Sequence, residues 1–304
     1  MSNKPPYHIK TIQEFHRLRE LPAPEHPLIS IIDYSIINRL PDVTSWTQHF
    51  YSISLKRTTN TKIKYGQQVY DFDRGVLFFM APNQVFSISG NNDEPPQHTG
   101  WLLLMHPDFF WNTSLAKTIK QYDFFDYSVN EALFLSEKEE TIINGIIENI
   151  HREYHCNIDK FSQQIIIAQL ETLLGYSQRF YNRQFITRKK SNHQILNRLD
   201  ALLTDYFNSE QLVKNGLPGV EYICYHLHVS PGYLRGLLKS LTGLSTQEHI
   251  HNRVIEKAKE KLSTTSLSVS EIAYELGFER PQSFSRLFKI KTQLSPLEFR
   301  QSFH

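Results

Sequence analysis

At 304 residues, with 40% hydrophobic and 21% charged content, the chain has the make-up of an ordinary soluble protein, long enough for two domains and a sizeable core. Its longest apolar runs, such as VLFFMA at 76–81, fall well short of the roughly 20 residues of a membrane span, and the opening MSNKPPYHIK lacks an apolar signal core. Two cysteines, Cys156 and Cys224, stand far apart and outside any CxxC pattern, which predicts a reducing cytoplasmic setting with neither a disulfide nor a zinc framework. The net charge of +2 is unevenly spread: residues 188–304 hold 16 Lys and Arg against 11 Asp and Glu, the remainder 17 against 20. A mildly basic C-terminal third on a mildly acidic body suits a nucleic-acid module attached to a separate domain.

From about Leu28 to Met105 the text reads as short β segments, LISIIDYSII, YSISLKR, VLFFM, VFSIS and WLLLM. Turn residues separate them, including Arg74-Gly75, Pro82-Asn83 and Gly90-Asn91-Asn92. Strands at this spacing predict a small barrel or sandwich, between which periodicity does not choose. Phe78, Trp101 and Tyr70 would line such a unit, as ligand contacts or as packing. Asp108 to Leu135, rich in Phe and Tyr without a clean period, predicts irregular turns and short helices.

Ser136-x-x-Glu139 is a capping box, and Ile142, Ile143, Ile146, Ile147, Ile150 and Tyr154 then fall on one helical face. After a break at 155–158, Asp159 caps a second helix whose stripe is Ile166, Leu170, Leu173, Ser177, Phe180 and Tyr181. The two make a helical hairpin over 136–186. Its stripes either pack on the β unit or pair two chains, which makes the hairpin a dimerisation candidate. Residues 187–191, Thr-Arg-Lys-Lys-Ser, read as a polar linker, and Ile195 to Phe207 as the first helix of a C-terminal domain over 192–304.

That domain contains a repeat. Val220, Ile223, Tyr225 and Leu227 match Val269, Ile272, Tyr274 and Leu276 at an offset of 49, while Leu234, Leu237, Lys239, Thr242, Leu244 and Ser245 match Phe284, Leu287, Lys289, Thr292, Leu294 and Ser295 at 50. Each copy reads as a short helix, a bend and a second helix, the pattern of a helix-turn-helix. In the first, Ser230-Pro231 restarts the chain with an N-cap and a proline at the first helical position. Leu234, Leu237, Leu238 and Leu241 form the buried side, which leaves Gly232, Tyr233, Arg235, Gly236 and Lys239 on other faces. In the second, Ser268-x-x-Glu271 caps the first helix, Gly277 ends it in a left-handed conformation, and Phe278 anchors the bend. Phe284, Leu287 and Phe288 face inward; Gln282, Ser283, Ser285, Arg286 and Lys289 face out. Arg suits bidentate contact with guanine and Gln with adenine, the chemistry of a helix in the major groove. Between the copies, Ser245-x-x-Glu248 caps a connector of roughly 25 Å, compatible with reading helices about one DNA turn apart, ~34 Å. Ser295-Pro296-x-Glu298 caps a last helix.

These residues closely resemble the AraC/XylS family of bacterial transcription regulators. The match lies in SVSEIAYELGFERPQSFSRLFKIKTQLSPLEFR, where Ile272-Ala273, Gly277-Phe278, Phe284-Ser285-Arg286, Phe288-Lys289, Ser295-Pro296 and Phe299-Arg300 fall as in the family signature. The departures are Cys224 in place of Ala, Gln293 in place of Gly, and Pro281 within the base-reading stretch. The resemblance implies base reading by Tyr233, Arg235 and Gly236 in one helix and by Gln282, Ser283 and Arg286 in the other. It places Lys239 and Lys289 nearer phosphates, where they position rather than specify. It also implies a cupin-like sensor over 1–135, with Gly75 to Pro82 resembling a recurrent strand-turn piece, followed by a dimerisation hairpin. The resulting expectation is an α+β protein: an N-terminal cupin-like β-barrel with a helical hairpin, and a C-terminal all-α tandem helix-turn-helix domain. It implies a homodimer acting on promoter DNA with RNA polymerase and a small-molecule effector, without membrane, catalysis or cofactor.

Other classes lack their residues. A metal-dependent cupin oxygenase needs His-x-His and a spaced Glu, whereas His49, His98 and His106 are scattered. The pairs His226/His228 and His249/His251 are two apart and share no helical face, so no metal ligands are expected from them. Methyl-accepting repair needs an N-terminal cysteine cluster that the chain lacks. Cys224 reads as a core residue and Cys156 as a redox-sensor candidate.

Overall fold

The computed structural model describes residues 6–37, 45–58, 63–65, 68–70, 75–87, 98–127, 131–155, 159, 161–187 and 189–302. The chain divides into two compact units, Met1–Gln184 and Phe185–His304. The expected Gly90-Asn91-Asn92 turn and Cys156 lie outside the described residues, as does the Tyr70 side chain.

In chain order the first unit contains β1 (Tyr7–Ile9), α1 (Ile12–Leu18), β2 (Ile29–Asp33), β3 (Ser45–Gln48), β4 (Tyr51–Thr58), β5 (Ile63–Tyr65), β6 (Gln68–Tyr70), β7 (Val76–Met80), β8 (Phe86–Ser87), β9 (His98–Met105), α2 (Leu115–Thr118), β10 (Leu133–Phe134), α3 (Glu137–His155) and α4 (Ser162–Thr187) as far as Gln184, the end of α4 from Phe185 belonging to the second unit. The largest sheet has the order β10-β7-β4-β9-β2, with β4 pairing antiparallel to both β7 and β9. Both its faces are covered: Leu102, Leu104 and Ile32 join Ile9, Ile12, Phe15, Trp46 and Phe50 in one cluster, while Ile53, Leu103 and Leu77 are buried on the opposite register. Burial on both faces explains why these strands read as continuous apolar runs.

The expected barrel is not seen closed. Among the described residues the strands form three separate sheets, β1-β3-β8, the five-stranded sheet and β5-β6, and no ladder joins them into a closed barrel. The small sheet takes β1 in parallel on one side of β3 and β8 on the other, so β3 has no edge left for β4 or β2. The Trp101 indole donates to Asn144 Oδ1 of α3 at 3.0 Å, and the Lys56 ammonium lies over the Phe78 ring.

The hairpin forms as the capping signals require. Ser136 and Glu139 exchange hydrogen bonds, and Asp159 accepts from the N–H groups of Phe161 and Ser162. Ile143, Ile146, Ile147, Ile150 and Tyr154 of α3 are buried, but Ile142 is exposed. On α4, Ile166, Leu170, Leu173, Ser177, Phe180 and Tyr181 are all buried. The Tyr181 ring stacks on Phe124, its hydroxyl donates to the Glu131 carbonyl, and Arg183 clasps Glu139.

The second unit is helical: α5 (Lys189–Asn208), α6 (Gln211–Asn215), α7 (Val220–Leu227), α8 (Pro231–Thr242), α9 (Thr246–Thr264), α10 (Val269–Glu275), α11 (Pro281–Thr292) and α12 (Pro296–Gln301). Helix α5 begins at Lys189, ahead of the expected Ile195, because residues 189–194 contain no Gly or Pro to stop it. The Asn192 side chain donates to the Phe185 carbonyl at 2.6 Å. Helix α9, about 28 Å long at 1.5 Å per residue, buries Ile250, Val254, Ile255, Ala258 and Leu262 and packs against α5, α8, α10, α11 and α12.

Candidate nucleic-acid interface

Each repeat folds as two helices about a bend, α7–α8 and α10–α11, with α9 between the pairs. The bends share a left-handed residue supplied differently: His228 at φ +57° ends α7, and Gly277 at φ +78° follows α10. Glycine is needed in the second copy for space as well as for φ, since a Cβ there would lie 2.5 Å from the Leu212 carbonyl oxygen. The four Ser caps form. Ser230 accepts from the Tyr233 N–H, and Ser245, Ser268 and Ser295 make full capping boxes with Glu248, Glu271 and Glu298.

The buried sides agree with expectation at Leu234, Leu237, Leu238, Phe284 and Phe288, whereas Leu241 and Leu287 are half-buried. On the outer side of α8, Arg235 and Lys239 are exposed and Gly236 is half-buried; on α11, Gln282, Ser283, Arg286 and Lys289 are all exposed. Gln282, Arg286 and Lys289 follow i, i+4, i+7 spacing and so share one face, as Arg235 and Lys239 do. Ser285 is half-buried.

Two outward expectations are corrected. Gly232 and Tyr233 are buried, and Tyr233, at 7% exposure, sets its ring edge-on against Phe185 at 5.2 Å between centroids. An amphipathic tyrosine with an aromatic neighbour gains more from burial than from solvent. That places Tyr233 beneath the outer face of α8.

Electrostatics repeat with the fold. Hydrogen bonds from Ser245, Ser268 and Ser295 hold the carboxyls of Glu248, Glu271 and Glu298 below their usual value, with Lys291 and then Lys239 adding to the effect at Glu248 and Lys289 at Glu298. Lys239 and Lys289 therefore lie near the start of the helix that follows their own, at matching places in the two copies. His249 is lowered by burial and contacts Thr242; His251 is lowered by burial and contacts Gln247; His226 contacts the Tyr222 carbonyl. None of these histidines turns toward another.

Tyr225 and Tyr274, which match across the repeat but are not among the expected DNA contacts, are 75% and 55% exposed on the first helix of each unit. Their hydroxyls have the chemistry to donate to phosphate oxygens. The signal was present, because an aromatic ring repeated at a position off the buried face needs a reason other than packing.

Two helix-turn-helix units in tandem, presenting arginine, lysine and glutamine on their second helices, define a DNA-binding domain. Residues 223–302 match the profile of a family described as "Helix-turn-helix domain". The uncharacterized HTH-type transcriptional regulator YfiF of Bacillus subtilis (strain 168) is 32% identical over 143 residues, 47% of this chain and 42% of that protein. The HTH-type transcriptional activator RhaS of Enterobacter sp. (strain 638) is 31% identical over 140 residues, 46% of each. The chain thus spans less than half the length of these relatives. Among solved structures, the C-terminal domain of AraT, a response regulator from Geobacillus stearothermophilus, is 29% identical with a TM-score of 0.32, covering 36% of this chain and 84% of that one. The C-terminal domain belongs to the AraC/XylS family of DNA-binding transcription regulators.

Proposed function

We propose that the whole chain is a sequence-specific, effector-responsive transcription regulator that acts at promoters. The observation that carries this reading is the pair of unlike polar faces on a shared buried frame. Arg235, Gly236 and Lys239 on α8, and Gln282, Ser283, Arg286 and Lys289 on α11, meet the donor and acceptor pattern of the major groove and its flanking phosphates. Tyr233, buried, supports α8 from below. The arginines and Gln282 specify; the lysines position. The charge balance of the domain favours the same partner.

In this reading residues 1–135 form a cupin-like sensor for a small molecule, 136–186 the hairpin that pairs two chains, and 187–191 the connection to a DNA-binding domain over 192–304. The exposed Ile142, Phe161 and Ile165 leave apolar surface on the hairpin beside its buried stripes, which supports pairing. A cytoplasmic homodimer working with RNA polymerase follows from the same family likeness. Among the described residues no helix is long and apolar enough to cross a membrane.

The test is to map the genomic fragments that the full-length protein binds and to measure their affinities against random DNA over a salt series. Selective fragments lying upstream of genes, with affinity falling as salt rises, are the expected result. Equal affinity for mapped and random DNA contradicts sequence-specific regulation. A monomeric mass at micromolar concentration, with and without DNA, contradicts the pairing.

A further inference from the structure

Helix α3 ends in His151-Arg-Glu-Tyr-His155, which sets two imidazoles one turn apart on one face. Their Nε2 atoms lie 2.9 Å apart, with ring centroids at 4.1 Å. Two imidazole nitrogens at that distance share a single proton or a metal ion that takes its place. The second ring nitrogen of His155, Nδ1, is 2.8 Å from the Glu25 carboxylate. This is the contact that fixes ring orientation and tautomer in metal-bound histidines, because an Nδ1–H donated to a carboxylate leaves the Nε2 lone pair facing outward.

Glu25 is itself held in place. The backbone N–H groups of Glu25 and His26 donate to the Tyr154 hydroxyl at 2.8 and 3.3 Å, and Tyr154 is only 5% exposed. A buried residue adjacent to His155 thus anchors the segment that orients His155. Arg152, between the two histidines in sequence, is engaged with Asn149 and the Glu148 carbonyl, so its charge is drawn toward the preceding turn.

The spacing is also compatible with a shared ion. At the ~2.0–2.1 Å usual for metal–imidazole bonds, nitrogens 2.9 Å apart subtend about 90° at a shared ion. That is a cis angle of tetragonal or octahedral coordination, narrower than the tetrahedral angle zinc favours. Among the described residues no group of three or more His, Cys, Asp or Glu gathers as a metal site, so an ion held here would have the two imidazoles as its protein ligands and water in its other positions. We propose that His151 and His155 bind one divalent transition-metal ion of the tetragonal class, Cu(II) or Ni(II), through their Nε2 atoms, with Glu25 as a positioning residue. The exposed end of α3 is then a metal-binding point on the first unit.

The experiment titrates the full-length protein with Ni(II) alone by calorimetry, and with Cu(II) alone by electron paramagnetic resonance. One ion per chain is expected, with two equatorial imidazole nitrogens resolved in the Cu(II) spectrum and Cu(II) bound more tightly than Ni(II). His151→Gln and His155→Gln each weaken binding at least tenfold, and Glu25→Gln weakens it about 10–100-fold without changing the stoichiometry. All three side chains are exposed, and unchanged circular dichroism verifies the fold of each variant. Undiminished binding by the double variant His151→Gln/His155→Gln overturns the site. So does the absence of saturable binding to the wild-type chain. Unchanged affinity in Glu25→Gln overturns the positioning role.

Discussion

The two helix-turn-helix units bury the same positions and solve their local problems in opposite ways. In the first, α7 starts at Gly219 without a side-chain cap and the reading helix α8 is capped by Ser230; in the second, α10 has the full Ser268/Glu271 box and the reading helix α11 starts at Arg280 without a side-chain cap. The first turns its bend on His228 and ends α8 at Gly243; the second turns on Gly277 and ends α11 at Gln293, all four left-handed. At equivalent places in the reading helices, buried Gly232 and Tyr233 stand against exposed Gln282 and Ser283. A duplicated frame has therefore kept its core while its caps, bends and outer faces diverged, and the second unit presents the fuller polar face.

The largest expected effect that breaks this comparison is at the buried tyrosine. Tyr233→Ala should destabilise the domain by about 3–5 kcal/mol, as large aromatic truncations in cores do, while Ser283→Ala at the equivalent place should stay within about 0.5 kcal/mol. Denaturant unfolding followed by circular dichroism separates the two, and a small loss at Tyr233 would return that residue to the surface. Next, Gly277→Ala should cost about 2–3 kcal/mol, combining a left-handed φ with a clash at the Leu212 carbonyl. His228→Ala in the other bend keeps a Cβ at a left-handed φ, which histidine tolerates somewhat better than alanine, and should cost less than about 1 kcal/mol. Third, Ser230→Ala should cost about 1 kcal/mol for the lost cap of α8, whereas Arg280→Ala removes no cap from α11.

The smallest effect is in acid. Because Glu248, Glu271 and Glu298 have depressed carboxyl pKa values, the unfolded chain takes up protons first as pH falls. Their contribution is complete above the usual 4.5 of a glutamate and is lost as pH drops through the depressed values. Melting temperature measured from pH 6 downward should fall more steeply in the wild type than in a Ser268→Ala chain. Parallel curves would remove the caps from the acid response.

What was legible in the sequence was local. Ser-x-x-Glu spacings gave the caps, and i, i+3, i+4 stripes gave the buried faces of α3, α4, α8 and α11, because both signals are carried within one or two helical turns. Helix α1 was legible too, since Thr11-x-x-Glu14 carries its cap, yet its short apolar run is easily passed over. The rest depended on distant partners. Tyr233 looks outward by periodicity until Phe185 covers it, and the parallel pairing of β1 with β3 has no sequence signature. The i, i+4 spacing of His151 and His155 was visible, but Glu25, which orients the pair, lies more than a hundred residues upstream. Cys224 is buried as a core residue.

On the proposed function one chain should read two unlike blocks of sequence, one with each unit. The most direct measurement of this is the affinity of Arg235→Ala and Arg286→Ala proteins for a mapped site in which every base pair is substituted in turn. Each variant should lose about 1–3 kcal/mol on the specific site and relax preference in one block only, with the two blocks centred about 10–10.5 base pairs apart. Loss of the same block by both variants, or equal loss on specific and random DNA, would contradict the account.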